Sequence, residues 1–175
     1  ILTFPMQQHI GAPATPVVKK GDRVLMYQLI GKAIGGVSAN IHSSVSGEVV
    51  DIIPKTMANG AVCDCVIIKN DFKDEKATLS IPEKNAPASQ IAFDGGLVGM
   101  GGAAFPTHIK LSIPEGKSAE YVIVNGAECE PYITSDHRVL LERGETILEG
   151  LKLLLNKLGA KEGIIAIEKN KPDAI

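Results

Sequence analysis

The sequence has no excess of basic residues, and this argues against a nucleic-acid partner. Its 18 Lys and Arg residues face 20 Asp and Glu residues, which gives a formal net charge of -2, and both signs are interspersed along the chain. Domains that bind nucleic acid usually gather positive charge on one face or along one helix. We therefore expect no nucleic-acid partner.

Long apolar runs are also missing. No run approaches the ~20 residues that a membrane-spanning helix requires, and no signal peptide is recognisable. Because 45% of the 175 residues are hydrophobic and 22% are charged, the composition suits one ordinary domain or two small ones. The sequence starts at Ile1 without a methionine and stops at Ile175 where a new helix is predicted to open, so we expect a soluble piece of a longer protein.

Cysteine is scarce, and the few cysteines do not form a recognisable metal site. Cys63, Cys65 and Cys129 are odd in number, and their spacing matches neither a zinc site nor a run of iron-sulfur ligands. Cys63 and Cys65 lie two apart on a predicted strand, so they share one face and are interpreted as packing residues. His9 and His42 each stand without a second ligand nearby, which favours hydrogen-bonded structural histidines. We expect a reducing compartment and no metal site in these residues.

Residues 1–72 are predicted to form several short strands, because they are rich in Val, Ile and turn residues and show no helical period. Their turns, reading KKGDRV and IHSSVSGEVV, resemble those of the biotinyl and lipoyl carrier domains, which implies a small flattened barrel, or barrel-sandwich hybrid. Such carriers present a modifiable Lys at a hairpin tip, whereas the connection over residues 35–40 contains none. We therefore expect no attached lipoyl or biotinyl group.

The remaining sequence predicts a linker and then an α/β domain. Residues 73–90 are polar and contain prolines, as linkers do, whereas apolar residues recur with strand and helix spacing over residues 91–175. A strand is predicted over 121–124, a helix over 145–158 and a second strand over 163–167, which together form one right-handed parallel unit. The predicted fold is thus an N-terminal all-β barrel-sandwich domain followed by part of an α/β, Rossmann-like domain.

A glycine-rich stretch, GGLVGMGGAAFPTHIK over residues 95–110, is the clearest candidate for a ligand site. Some of its glycines are candidate ligand residues, because a residue without a Cβ lets the backbone approach a ligand closely. They are Gly99, Gly101 and Gly102. Pro106 predicts the first turn of a helix, whose free N–H groups attract an anion, and Lys110 would follow one turn later as a countercharge. The stretch therefore predicts a phosphate-binding loop.

Two other interpretations of this stretch stay open at the level of sequence. The spacing of Gly99, Gly101 and Ala104 also fits the dinucleotide-binding fingerprint, which requires a strand immediately before it. Residues 91–93, reading IAF, are too short for a convincing strand. The simplest alternative is a glycine-rich loop between two domains.

A second candidate site follows the strand predicted over residues 121–124. Ligands of open parallel sheets bind outside the carboxyl ends of the strands, and this strand delivers the loop NGAECEP to that edge. Asn125 can both donate and accept hydrogen bonds, as a ring with carbonyl and N–H groups requires, while Glu128 and Glu130 can accept from ribityl or ribose hydroxyls. A solvated acidic turn is the alternative interpretation.

Taken together, these motifs resemble the RnfC component of the Rnf electron-transport complex. The resemblance covers nearly the whole chain and rests on the segments QHIGAP, VSANIHSSVSGEVV, GLVGMGGAAFPTHIKL and VIVNGAECEPYITSDHRVLL. The last two segments also resemble, more distantly, the flavin-bearing, NADH-oxidising subunit of respiratory complex I.

The resemblance implies which residues contact which ligand. Those implied for FMN are Gly99, Gly101, Gly102, Lys110, Asn125 and Glu128, and those implied near the nicotinamide nucleotide are Phe105 and Glu130. Compared with the complex I pattern, Ala127 replaces an Asp and Met100 replaces an Arg, so individual flavin contacts are expected to differ. If His9 is only structural, replacing it with Ala is expected to leave FMN binding unchanged.

The implied activity is hydride transfer between NAD(H) and FMN, followed by exchange of single electrons with two 4Fe-4S clusters bound outside these residues. Because the flavin carries the chemistry, no side chain here is expected to act as an acid, base or nucleophile. The implied partners are the other Rnf subunits and, indirectly, ferredoxin, in an ion-translocating complex at the cytoplasmic face of the bacterial cell membrane. A cobalamin reductase, whose family shares the glycine and acidic loops, and a non-catalytic subunit-docking module are the alternatives.

Overall fold

The computed structural model describes residues 1–78, 83, 85–100 and 102–175. The chain folds into two compact units, Ile1–Ser112 and Ile113–Ile175. Among the described residues, no helix is long and apolar enough to cross a membrane.

Residues 1–72 form short strands, as their composition predicts. The strands are β1 (Leu2–Pro5), β2 (Thr15–Pro16), β3 (Arg23–Val24), β4 (Leu29–Lys32), β5 (Ile41–His42), β6 (Gly47–Thr56) and β7 (Val62–Asn70). They build one sheet with the order β1-β7-β6-β3 and a second sheet with the order β2-β4-β5, and all the pairings are antiparallel. The predicted all-β fold of this segment is confirmed.

A hydrophobic core joins the two sheets, because strands of both contribute buried side chains to it. Its members include Phe4, Val24, Ile30, Ile41, Val49, Val66 and Ile68. Alternation along β7 places Cys63, Cys65 and Ile67 in a separate apolar cluster. Burial raises the pKa of the Cys65 thiol, so this thiol stays protonated at neutral pH. The predicted packing role of the cysteine pair is confirmed.

Two short helices flank the glycine-rich stretch and pack against each other within the first unit. They are α1 (Ala88–Asp94) and α2 (Thr107–Lys110). Residues 91–93 thus lie in a helix, because α1 buries Ala88 and Ala92, one turn apart, on the same face. A helix rather than a strand immediately precedes the glycines, so the dinucleotide-binding fingerprint is not built here.

The start of the predicted linker lies along the β strands. The Met26 N–H donates to the Glu75 carbonyl at 2.8 Å, and the Ala77 N–H donates to the Met26 carbonyl at 2.9 Å. The Arg23 guanidinium also pairs with the Glu75 carboxylate at 2.7 Å. These contacts hold residues 75–77 against the first unit, while the last linker residues begin α1. The division into domains at residues 72 and 91 stays a prediction.

The second unit is a strand-helix-strand unit with parallel strands, as predicted. Strands β8 (Tyr121–Asn125) and β9 (Glu162–Ala166) pair directly, and helix α3 (Ser135–Leu158) connects them. Gly159, at a φ of 66°, ends α3 in the left-handed conformation expected of a helix-terminating glycine. The α/β character predicted for this part of the chain is therefore confirmed.

Helix α3 begins well before its predicted start at residue 145. It bends at Arg143, whose φ of -132° is not helical, so an early segment and the predicted segment join at a kink. Within the predicted apolar stripe, Leu151 is the buried member. It lies directly over Gly163 of β9, where a Cβ would come within 2.8 Å of the Leu151 Cδ2 atom. The bare backbone at Gly163 thus allows α3 to pack closely on the strand.

Candidate functional site

Within the first unit, the glycine-rich stretch forms a closed loop. The Thr107 N–H donates to the Leu97 carbonyl at 2.9 Å, and the Gly99 N–H donates to the Phe105 carbonyl at 2.8 Å. We call residues 99–105 the glycine loop. Gly102 and Ala104 both have a positive φ, of 57° and 49°, and this conformation is strained for Ala104 because of its Cβ. Gly101 lies outside the described residues.

Lys110 reaches back over the glycine loop from the end of α2. Its Nζ atom lies 5.8 Å from the centroid of the Phe105 ring and 3.8 Å from the position that a Cβ on Gly99 would occupy. Lys110 is exposed, and it forms no ion pair with any residue that the structure describes. An uncompensated ammonium group therefore sits beside bare backbone, which is an arrangement that suits an anion.

The predicted helix start is present, although the helix is too short to attract an anion by itself. Pro106 immediately precedes α2 with a φ of -59°, and α2 contains only four residues. A single turn has a small dipole, so the positive charge here comes from Lys110 rather than from the helix terminus.

A second glycine turn, which sequence reasoning did not distinguish from the first, packs on the β strands. Gly96 has a φ of 62°, and a Cβ on it would come within 2.3 Å of the Asn40 carbonyl oxygen and 3.2 Å of His42 Nδ1. The fold itself therefore requires a glycine at this position. Its signal in the sequence, a Gly-Gly pair, does not differ in kind from that of the other glycines.

Two histidines near this turn are structural, as predicted. His9 is buried, its Nε2 atom accepts a hydrogen bond from the Ala39 N–H at 3.2 Å, and its Nδ1 atom lies 3.1 Å from the Ile10 carbonyl oxygen. These contacts require the tautomer in which Nδ1 carries the proton and donates to Ile10. Burial lowers the pKa of His42, so the neutral form of this half-buried imidazole is favoured.

His108, in α2, is a residue that sequence reasoning missed. Its ring meets the Phe93 ring edge to face, with centroids 5.0 Å apart. Its Nδ1 atom is buried and has no hydrogen-bond partner among the described residues. Burial lowers the pKa of His108, and a neutral imidazole suits this aromatic contact. His108 thus joins α2 to α1 beside the glycine loop.

In the second unit, the acidic loop follows β8 as predicted. Asn125 is exposed, and its Oδ1 atom accepts a hydrogen bond from the Ala127 N–H at 3.1 Å. This bond orients the side chain and leaves the Nδ2 amide group, a donor, on the outside of the turn. Glu130 is exposed on the same loop. Both side chains are therefore accessible to a ligand.

Glu128 differs from its neighbours because its carboxylate is buried and holds the start of α3. It accepts hydrogen bonds from the Ser135 hydroxyl at 3.0 Å, from the Asp136 N–H at 2.9 Å and from the His137 N–H at 3.3 Å. These hydrogen bonds, led by that from Asp136, lower the pKa of Glu128. The carboxylate therefore caps the helix, which explains why α3 starts at Ser135. Its predicted role as a flavin ligand stays a prediction.

The predicted site residues thus fall into two groups, one in each compact unit. Gly99, Phe105 and Lys110 lie together around the glycine loop. Asn125, Glu128 and Glu130 lie together on the acidic loop. Among the described residues, no group of three or more His, Cys, Asp and Glu side chains is arranged to hold a metal ion.

Two family descriptions match this chain and together cover most of it. Residues 1–73 match the RnfC barrel sandwich hybrid domain, and residues 93–175 match the Nuo51 FMN-binding domain. The barrel sandwich match agrees with the two antiparallel sheets described above. The second match begins in α1 and includes both the glycine loop and the acidic loop.

Relatives named as RnfC-type components of oxidoreductase complexes match the chain over nearly its whole length. It is 42% identical to that of the Na+-translocating ferredoxin:NAD+ oxidoreductase complex of Acetobacterium woodii, over 100% of this chain and 41% of the relative. It is 42% identical to that of the proton-translocating ferredoxin:NAD+ oxidoreductase complex of Clostridium ljungdahlii, over 98% of this chain and 39% of the relative. It is 43% identical to that of the ion-translocating oxidoreductase complex of Rhodobacter capsulatus, over 100% of this chain and 35% of the relative.

The chain belongs to the RnfC family. It spans about two fifths of the length of the first two of these relatives, at 41% and 39%, and a smaller share, 35%, of the third. The RnfC resemblance inferred from the sequence motifs is therefore confirmed, and so is the succession of a barrel sandwich hybrid and a sequence of the FMN-binding type.

The residues of this RnfC family member fit FMN in each of the two units. The free ammonium group of Lys110 beside the bare backbone of Gly99 suits a phosphate group. The exposed Asn125 amide, oriented by Ala127, is a donor that suits a ring carbonyl. The Glu128 carboxylate is the member of the predicted set that fits least directly, since it already accepts hydrogen bonds from three donors.

Proposed function

We propose that this chain is part of a subunit that transfers electrons between NAD(H) and FMN in an Rnf-type, ion-translocating ferredoxin:NAD+ oxidoreductase complex. The observation that carries this proposal is the position of the Lys110 ammonium over the bare Gly99 backbone, in the part of the chain that matches the FMN-binding domain. The names of the relatives support electron transport over cobalamin reduction or a purely structural docking role.

Each site residue has a distinct role in this proposal. Lys110 and the glycine loop bind the phosphate group of FMN, and Asn125 donates a hydrogen bond to the ring. Glu128 contributes to the FMN site by fixing the loop that carries Asn125, because its carboxylate joins this loop to α3. Phe105 and Glu130 lie near the nicotinamide nucleotide. When bound, FMN supplies a hydride acceptor that can exchange electrons one at a time.

The proposal extends to the longer protein of which the chain represents about two fifths in its relatives. That subunit carries two 4Fe-4S clusters outside these residues, and it assembles with other Rnf subunits at the cytoplasmic face of the membrane. Ferredoxin exchanges electrons with the complex without contacting this chain directly.

Replacement of Lys110 tests the phosphate site. In the full-length subunit, Lys110→Gln is expected to weaken FMN binding about tenfold or more, because a charge-assisted hydrogen bond is lost. The dissociation constant is measured by the quenching of flavin fluorescence on titration into the FMN-free subunit. Lys69→Gln, which removes an exposed charge from β7, is the matched control and should bind FMN as the wild type does.

Replacement of Gly99 tests whether the backbone must stay bare for a ligand. A Cβ there would lie 3.6 Å from the Phe105 nitrogen and 3.8 Å from Lys110 Nζ, which are ordinary contact distances. Gly99→Ala should therefore leave the melting temperature unchanged and still weaken FMN binding, because the methyl group occupies space beside Lys110. Wild-type affinity in both Gly99→Ala and Lys110→Gln, or a wild-type subunit that takes up no FMN, would contradict the proposed function.

A further inference from the structure

The β strands of the first unit contact the glycine-rich stretch through two hydrogen bonds that link residues far apart in the sequence. The Ile10 N–H donates to the Ala103 carbonyl of the glycine loop at 3.1 Å. The Asn40 Nδ2 group donates to the Phe93 carbonyl at the end of α1 at 3.1 Å. Both segments that lead to the phosphate site are thus held by loops of the barrel.

His9 joins these two barrel loops from a buried position. Its Nε2 atom accepts from the Ala39 N–H at 3.2 Å, one residue before Asn40, and its Nδ1 atom donates to the Ile10 carbonyl at 3.1 Å. Its exposed fraction is 6%, so neither hydrogen bond is open to competition from bulk water. The imidazole therefore fixes the segment around Ile10 whose N–H binds Ala103.

The peptide that Ile10 binds is the one in which the loop conformation is strained. The Ala103 carbonyl belongs to the peptide group that joins Ala103 to Ala104, and Ala104 has a φ of 49°. A non-glycine residue keeps such a conformation where the surrounding structure holds it in place. The hydrogen bond from Ile10 is a contact of this kind from outside the loop.

We propose that His9 is a positioning residue for the FMN phosphate site, which acts through Ile10 and Ala103 on the glycine loop. The proposal rests on the proposed function for its ligand, FMN, and it assigns to the barrel a part in building the site. It also changes the expectation drawn from sequence alone, in which a structural His9 could be replaced without effect on FMN.

The test uses the full-length subunit without FMN and compares His9→Ala with two other variants. His9→Gln restores an acceptor at a reach similar to that of Nε2 and is the conservative rescue. Ile68→Val removes one methylene from the barrel core and is the control for lost stability, because Ile68 packs in the core formed by β-strand residues. FMN affinity is measured by fluorescence titration, and amide hydrogen exchange is followed over residues 98–107.

We expect His9→Ala to weaken FMN binding about tenfold, as the loss of a buried hydrogen bond predicts, and to raise amide exchange in the glycine loop before any FMN is added. His9→Gln should recover most of the affinity, and Ile68→Val should retain all of it. Wild-type affinity and wild-type loop exchange in His9→Ala would overturn the proposal, as would an equal loss of affinity in Ile68→Val. If the wild-type subunit bound no FMN, the proposed function would fail, while the exchange measurement would still decide whether His9 positions the loop.

Discussion

At the scale of single residues, Gly96 shows a glycine that the protein itself needs. A Cβ on Gly96 would come within 2.3 Å of the Asn40 carbonyl oxygen, and the φ of 62° is already unfavourable for other residues. We therefore expect Gly96→Ala to destabilise the first unit by about 2–4 kcal/mol, from backbone strain and a forced shift of packed backbone. Thermal and urea unfolding of the purified chain measure this loss.

Gly35 provides a matched control for the clash, because its φ of 65° is similar and a Cβ there would have no heavy atom within 4 Å. Gly35→Ala should show only the strain of about 1 kcal/mol. Equal losses in the two variants would mean that the contact with Asn40 is not what restricts residue 96. The sequence identified these glycines as special but could not separate them, since the difference depends on a carbonyl more than 50 residues away.

At the scale of secondary-structure elements, the Glu128 carboxylate determines where α3 begins. It accepts hydrogen bonds from the Asp136 and His137 N–H groups, which lack partners within the helix. Because its pKa is lowered in the folded protein, its contribution to stability is full above about pH 4.3, the pKa of an unperturbed Glu. This contribution is lost as the pH falls through the lowered pKa of Glu128.

Glu128→Gln should therefore lower the melting temperature at neutral pH and raise amide exchange at the start of α3. The difference from the wild type should shrink as the pH falls below about 4. Glu149→Gln, which changes an exposed carboxylate in the same helix, is the control and should alter neither quantity. A pH-independent difference for Glu128→Gln would show that the charge of Glu128 does not stabilise the helix.

The elements that the sequence predicted correctly are those with a strong local pattern. Alternation and turn residues located the strands of residues 1–72, and the leucine spacing located the second part of α3. The first part of α3 was missed because Arg143 interrupts the helix and the cap comes from Glu128, outside it. Helix α1 was missed because it is short and buries only small side chains, Ala88 and Ala92.

At the scale of the whole molecule, the barrel has the architecture of a carrier domain without the modifiable residue. The connection between β4 and β5 turns through Gly35 and Gly36, both at positive φ, and no Lys lies over residues 35–40. We expect the intact mass of the purified chain to equal that of the unmodified sequence after incubation with lipoyl or biotinyl ligase and their substrates. A genuine carrier domain, treated in parallel, should gain the adduct. An adduct on any Lys of this chain would show that the barrel still acts as a carrier.

The hydrogen bonds from Ile10 to Ala103 and from Asn40 to Phe93 also bear on how genes of this family can recombine. The gap between the two family matches, residues 74–92, is where a crossover would be expected to join two complete modules. A chimera joined there would take its barrel loops from one parent and its glycine loop from another. A junction after Ser112, where the first compact unit ends, would inherit both sides of each contact from one parent. Chimeras between diverged relatives should therefore yield more soluble protein when joined after Ser112, and inheritance should favour the barrel and the glycine loop travelling as one block.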